Sequence, residues 1–342
     1  MNGSPDSTPR PAPRRRRPEP TLLTVAAAVS AALGVLQFHR PPQKPLITPP
    51  FAARAVVALP FATPSPDALG MSGEVRLRSV LPRATVEYPL EVRGSLDSLA
   101  YQWVRATDTA TATVPLPMPG AELVAPEEPG LYHLALVRGG HRRVVDGLTI
   151  AVLVPFSEKL GSTLDGYRIG TYVAEKIRGH DHPAGFMKLA PADLALPVSR
   201  HFRLSDFVAP DARGGITSYA ALNPRLLDKL ELVLDALGPA GRDVELDVHV
   251  NSGFRPPAYN RTVQRAARDS RHQYGDAADL RIDADGDGRF TVRDLRLVAT
   301  AVEQVERTHP ELSGGLGLYT SADYRAPYAH IDTRGVRVRW QG

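Results

Sequence analysis

Between residues 72 and 155, apolar side chains return at every second position. Val75 and Leu77 do so, as do Leu99, Tyr101 and Trp103, then Leu134 and Leu136, then Leu148, Ile150, Val152 and Val154. A period of two puts one face of each run in a core, and the Gly and Pro turns between runs predict antiparallel strands. A span of about 85 residues suits a small β-sandwich. From about residue 196 the pattern becomes mixed. Pro224–Leu237 carries Leu226, Leu227, Leu230, Leu234 and Leu237 at helical spacing, with Gly238-Pro239 to stop it. Val244, Leu246, Val248 and Val250 then alternate with Glu245, Asp247 and His249, which predicts a half-buried strand. Residues 292–308 predict a second amphipathic helix, and Tyr328–Trp340 returns to strand-like composition. The expected fold class is α+β, preceded by an all-β part.

Within the all-β part, Pro129-Gly130-Leu131-Tyr132 resembles a strand start in immunoglobulin-like domains. The expected organisation is a basic cytoplasmic tail at 1–20, an apolar segment at 21–38 and a Pro-rich linker at 39–70. A β-sandwich at 71–155, an unassigned connector at 156–195 and an α+β domain at 196–342 follow. Nothing in 71–155 carries chemistry or names a partner, so a spacer or binding module is its default reading. Arg14–Arg17 precede Thr21–Phe38, which are uncharged and rich in Ala, Val and Leu, the pattern of a signal peptide or signal anchor. Its basic side would stay in the cytoplasm and the rest would lie outside the membrane, in the periplasm or cell envelope.

Charge and cysteine content remove several classes of function. The net charge is +4, but residues 1–38 hold five arginines against Asp6 and Glu19, so the basic balance is a property of the tail and gives no support for nucleic-acid binding. The absence of cysteine excludes disulfides, thiol catalysis, a cysteine-ligated metal and a lipoprotein anchor. Any metal must sit on His, Asp or Glu.

The richest segment for such ligands runs from Ser252-Gly-Phe-Arg-Pro to Asp279. His272 lies before Gly275, a tight turn. Ala277 and Asp279 then share one face of the strand that starts there, and the small Ala277 leaves room beside them. Far downstream, His330 and Asp332 share a strand face by the same alternation. Two imidazoles and a carboxylate suit zinc and leave a fourth position for water. Spacing alone equally allows a surface His–Asp pair and a core histidine.

Ser270-x-His272-x-x-Gly275-x-Ala277-x-Asp279 matches the S-x-H-x-x-G-x-A-x-D signature of the zinc D-alanyl-D-alanine carboxypeptidases at every fixed position. That broad family also includes murein endopeptidases. Ser252-Gly253-Phe254-Arg255, followed by Tyr259-Asn260, resembles the family's S-G-[FY]-R segment, and His201–Phe207 is similar to the domain's usual opening. Tyr319 through Ala329-His330-Ile331-Asp332 and Arg339-Trp340 resembles its closing strand. The resemblance covers about 196–342. It implies a hedgehog/D,D-peptidase-like α+β fold with an antiparallel sheet carrying zinc on His272, Asp279 and His330. It also implies that Arg255 contacts the substrate near its carboxylate or scissile carbonyl, with Ser252 and Tyr259 beside it. Arginine suits that task because its fork donates two hydrogen bonds to an oxyanion. Many relatives place an acid three residues before the third ligand, where this chain has Pro327. Asp332 is the best replacement as general base and Asp323 the second; Asp332 could instead orient a ligating histidine.

Directly after this strand, Asp283-Ala-Asp285-Gly-Asp287-Gly288-Arg289-Phe290-Thr291-Val292-Arg293-Asp294 fits the calcium loop of the EF-hand. Asp283, Asp285 and Asp287 would supply side-chain oxygens, Arg289 its carbonyl, and Asp294 the closing carboxylate. The competing reading is an Asx-rich turn in which Thr291 and Asp294 cap the following helix.

The expected activity is therefore that of an exported zinc metallopeptidase, a D,D- or L,D-carboxypeptidase or endopeptidase acting on peptidoglycan peptides. The alternative is a non-catalytic, zinc-containing peptidoglycan-binding protein, a possibility kept open by Pro327.

Overall fold

Period-two alternation builds strands where it is expected. The computed structural model describes residues 59, 61–88, 90–118, 122–210, 217–238, 246–320 and 326–342. The expected tail, the apolar segment 21–38 and most of the Pro-rich linker lie outside them. Among the described residues no helix is long and apolar enough to cross a membrane.

In the N-terminal part, a six-stranded sheet runs in the order Leu77–Val80, Thr149–Val152, Gly130–Arg138, Ala100–Arg105, Leu116–Pro117, with His141–Val144 paired to the long Gly130–Arg138 strand. Its two faces do different work. Tyr101, Trp103, Tyr132, Leu134, Leu136, Ile150 and Val152 join one apolar cluster with Val86, Tyr88 and Leu123 from the short strands beside them. Leu77, Leu131 and Ala151 point the other way, into a second and larger cluster with Phe186, Leu226, Leu230, Leu280 and Val302. Alternate residues of Thr149–Val152 thus serve opposite cores, which is why all four are buried.

The expected connector, 156–195, supplies the central strand of a further sheet, Gly185–Leu189. Val154–Pro155, Gly185–Leu189 and Ser218–Ala220 form a three-stranded antiparallel sheet. Phe186, Met187 and Leu189 all enter the larger cluster.

The C-terminal part is a five-stranded sheet in the order Val248–Ser252, Ala277–Ile282, Tyr328–Asp332, Gly315–Tyr319, Val338–Gln341. The helices Pro224–Leu237 and Val292–Thr308 form over the expected residues. Asn223 caps the first by accepting from the Arg225 amide, and Thr291 with Asp294 makes a capping box on the second. Their leucines and valines fill the larger cluster. The chain is thus mixed α and β, with several sheets and few helices.

Strand direction departs from expectation at two places. Thr149–Val152 runs parallel to Leu77–Val80, and Gly315–Tyr319 runs parallel to Val338–Gln341. Side-chain alternation is the same in both directions, so a sequence period carries no information about it.

Because the larger cluster takes side chains from both parts, the two should unfold together. Leu77→Ala is expected to cost about 2–5 kcal/mol, in a single denaturant transition seen alike by Trp103 in the first part and Trp340 in the second. Separate midpoints for the two tryptophans, read in single-tryptophan variants, would show that the cores are independent.

Candidate metal centre

The site begins with a turn. Ser270 is extended, Arg271–Tyr274 make one turn of 3-10 helix, and Gly275 closes it in the left-handed region at φ +71°. A Cβ at Gly275 would lie 2.2 Å from the carbonyl oxygen of Ala221, so the position has room only for glycine. The strand Ala277–Ile282 then starts, with Asp279 opposite His330 and Ala277 opposite Asp332 on the antiparallel neighbour. Directly opposed residues present their side chains on the same face. The turn brings His272 back over that face.

Three atoms converge there. His272 Nε2 lies 3.1 Å from Asp279 Oδ1 and 3.1 Å from His330 Nδ1, and His330 Nδ1 lies 2.9 Å from Asp279 Oδ1. All three residues are buried. The outer nitrogen of each ring is tied to a group that can only accept: His272 Nδ1 donates to the Gly253 carbonyl at 2.7 Å, and His330 Nε2 donates to Asp332 Oδ2 at 3.1 Å. With the protons on the outer nitrogens, the inner ones turn lone pairs toward each other and toward a carboxylate oxygen. Burial pushes the His272 pKa below its ordinary value. Two neutral nitrogens and an anionic oxygen about 3 Å apart suit a cation bound at the roughly 2.0–2.2 Å typical of zinc.

Asp332 is fully engaged. Its carboxylate accepts from His330 Nε2, from the Gly315 and Arg334 amides at 2.7 and 3.1 Å, and from the Arg334 guanidinium. Burial opposes its ionisation, yet the hydrogen bonds from His330 and Arg334 hold its carboxyl well below the usual range.

A cavity of about 290 Å³ opens over the three ligand-type residues. Arg255, Arg265, Arg271 and Arg334 line it, with Tyr319, Tyr328 and Trp340. Arg271 is paired with Asp276 and Arg334 with Asp332. Arg255 Nη2 stands 3.9 Å from Asp279 Oδ2, and its buried Nε has no hydrogen-bond partner. Tyr319 and Tyr328 stack at 4.5 Å, and Trp340 donates to the Tyr319 hydroxyl at 2.9 Å. Gly317, opposite His330, makes way for that indole, which a Cβ would meet at 2.4 Å.

The fold thus brings His272, Asp279, His330, Arg255 and Asp332 together. Ser252 pairs in register with Asp279, and Tyr259 sits in the short helix Pro257–Asn260; neither lines the cavity. Pro327 occupies the place expected for an acid, and Asp323 lies outside the described residues. The Gly253 carbonyl, Arg334 and the aromatic wall are additions to the sequence reading. Arg334, two residues past Asp332, had a local signal, and Tyr319 and Trp340 lay in the segment resembling the closing strand.

In the acidic loop, Asp283, Asp285 and Asp287 bring carboxylate oxygens within 4.8 Å of one another. Asp283 accepts from the amides of Gly286, Asp287 and Gly288, and Asp287 accepts from that of Arg289. Asp285 faces Arg293 at 3.2 Å. Asp294 stands outside this trio, accepting from the amides of Ala284, Asp285 and Thr291 and from the Thr291 hydroxyl. The Asx turns and helix cap of the competing reading are thus present.

Comparison with curated proteins gives no match. Residues 201–303 match the family model described as Peptidase M15. The match takes in the Arg255 segment, the His272 turn and Asp279, and ends before His330, which strand pairing supplies. Over these residues the chain is similar to the Peptidase M15 family, a family of zinc D-alanyl-D-alanine carboxypeptidase-like hydrolases.

Proposed function

We propose that this protein is a zinc metallopeptidase that hydrolyses peptidoglycan stem peptides or cross-links outside the cytoplasmic membrane. The convergence of His272 Nε2, Asp279 Oδ1 and His330 Nδ1, with both outer ring nitrogens already donating, carries this reading. Bound to these atoms, zinc supplies Lewis acidity toward water and a peptide carbonyl. Arg255 holds the oxyanion side of the substrate with the guanidinium that lines the cavity. Asp332 orients the His330 ring and keeps the proton on its outer nitrogen, because every oxygen it has is already used. The proton acceptor in hydrolysis is then a group other than Asp332.

The same reading gives the C-terminal part a hedgehog/D,D-peptidase-like fold, supported by the antiparallel strands that carry Asp279 and His330. It makes the strands of 71–155 an immunoglobulin-like module around buried Trp103. Export by residues 21–38, as an anchor or cleaved signal, suits a substrate outside the membrane. For the loop 283–294 we propose a structural calcium ion, on its EF-hand pattern and the converging carboxylates.

A second reading has a specific observation behind it. Pro327 and a fully engaged Asp332 leave no acid over the cavity among the described residues except Asp269 and Asp279. A zinc-containing protein that binds peptidoglycan without cutting it would look the same.

Incubating the chain with purified muropeptides separates the two. The peptidase should give products that disappear on chelation and return with zinc, whereas retention on sacculi without products would support the binder. Asp332→Asn is expected to weaken zinc about 10–100-fold, measured by competition with a chromogenic chelator. Arg255→Lys should lower kcat/KM about 10²-fold with zinc content unchanged. For calcium, a hundredfold excess over Kd should add about 2.7 kcal/mol of stability, and Asp283→Asn should remove that gain; a calcium-insensitive Tm leaves only the helix cap.

A further inference from the structure

We propose that Lys229, which contributes nothing to the cavity, is a positioning residue for the metal centre, acting on His330 through Asp332. This rests on the reading that His330 is a metal ligand. Lys229 lies on the helix Pro224–Leu237, and its side chain and that of Glu306 are both 0% exposed. Its ammonium donates to Glu306 Oε1 at 2.7 Å and to the main-chain oxygen of Asp332 at 2.7 Å. Glu306 Oε1 also accepts from the Gly314 amide at 3.0 Å, its Oε2 pairs with Arg337 and Arg339 at 3.1 and 2.5 Å, and the next amide, Gly315, donates to Asp332 Oδ1 at 2.7 Å.

These contacts close a ring. Lys229 holds the carbonyl of Asp332, Gly315 holds its carboxylate, Gly314 is held by Glu306, and Glu306 is held by Lys229. Asp332 is therefore gripped at both its main chain and its side chain. The grip is close, since a Cβ on Gly314 would fall 1.8 Å from the Asp332 carbonyl oxygen. Asp332 Oδ2 in turn receives the His330 Nε2 proton. The path from Lys229 to the inner nitrogen of His330 thus passes through one residue with little freedom to turn.

Stability alone is a poor reason for this arrangement. Taking an ammonium and a carboxylate out of water costs about as much as their attraction returns, and apolar replacements of equal volume often match or exceed such a pair. An apolar side chain, however, cannot hold the Asp332 carbonyl. What the pair supplies that leucine and methionine cannot is direction, delivered to the group that orients a ligand.

The test uses the full chain, with zinc and cobalt(II) as probes. Lys229→Met removes the donor to the Asp332 carbonyl while Glu306 keeps Arg337 and Arg339, so the double variant Lys229→Met/Glu306→Leu, which removes the whole ring, accompanies it. The double variant should bind zinc about tenfold more weakly and shift the visible absorption of bound cobalt. Unchanged zinc affinity and an unchanged cobalt spectrum in the folded double variant would overturn the proposal. If neither variant folds, Glu306→Gln, which keeps the shape and weakens the grip, must show the same shift at smaller amplitude. Its failure to do so, or its own failure to fold, also overturns the proposal by reducing the ring to a packing element. His272→Ala is the control for the underlying reading: if it still binds one zinc at parental affinity, the metal centre itself is wrongly placed, whatever Lys229 does.

Discussion

Asp279 and His330 face each other because two antiparallel strands pair in one register, and the rest of the site depends on that pairing. A slip of one residue would turn His330 and Asp332 to the opposite face of the sheet and bring Ile331 up in their place. The register is protected by what lies on that opposite face. Ala278, Leu280, Ala329 and Ile331 all belong to the larger apolar cluster, so a slip would also bury a histidine and an aspartate there. Hydrophobic burial behind the sheet therefore enforces the polar geometry in front of it.

His272 reaches the same face by different means. Its turn is held by Gly275 against the main chain of Ala221 and by the Arg255 amide, which donates to the His272 carbonyl at 3.0 Å. The segment carrying Arg255 thus holds the turn with its main chain while its side chain lines the cavity. The Gly253 carbonyl on that segment also takes the outer proton of His272. One short stretch, Gly253–Arg255, accordingly orients a ligand, anchors a turn and offers a guanidinium.

The N-terminal strands take part in this framework. Their sheet is buried on both faces, and the face turned toward the C-terminal part joins the cluster that backs the metal-bearing strands. A module joined only by a flexible linker would present a polar face there. The charged ring of Lys229, Glu306 and Asp332 lies where two helices meet the end of the His330 strand.

Much of this was legible in the sequence. Both long helices have the bounds their leucine and valine spacing implied, since Asn223 and Thr291 are caps whose side chains act within one turn. The candidate ligands were legible too, because His272, Gly275 and Asp279 lie close enough along the chain for a turn and a strand to relate them. The connector was not legible: its strand Gly185–Leu189 pairs with partners about 30 residues away on either side, and its short apolar run has no period to read. The sequence by itself determined which residue types could bind a metal, and on what local elements they would stand. Only the tertiary structure decided which nitrogen of each ring faces inward, that Asp332 is already saturated, and that a lysine 103 residues away holds it. Those are contacts between groups far apart in the chain, set by packing in three dimensions, and no local pattern of residues encodes them.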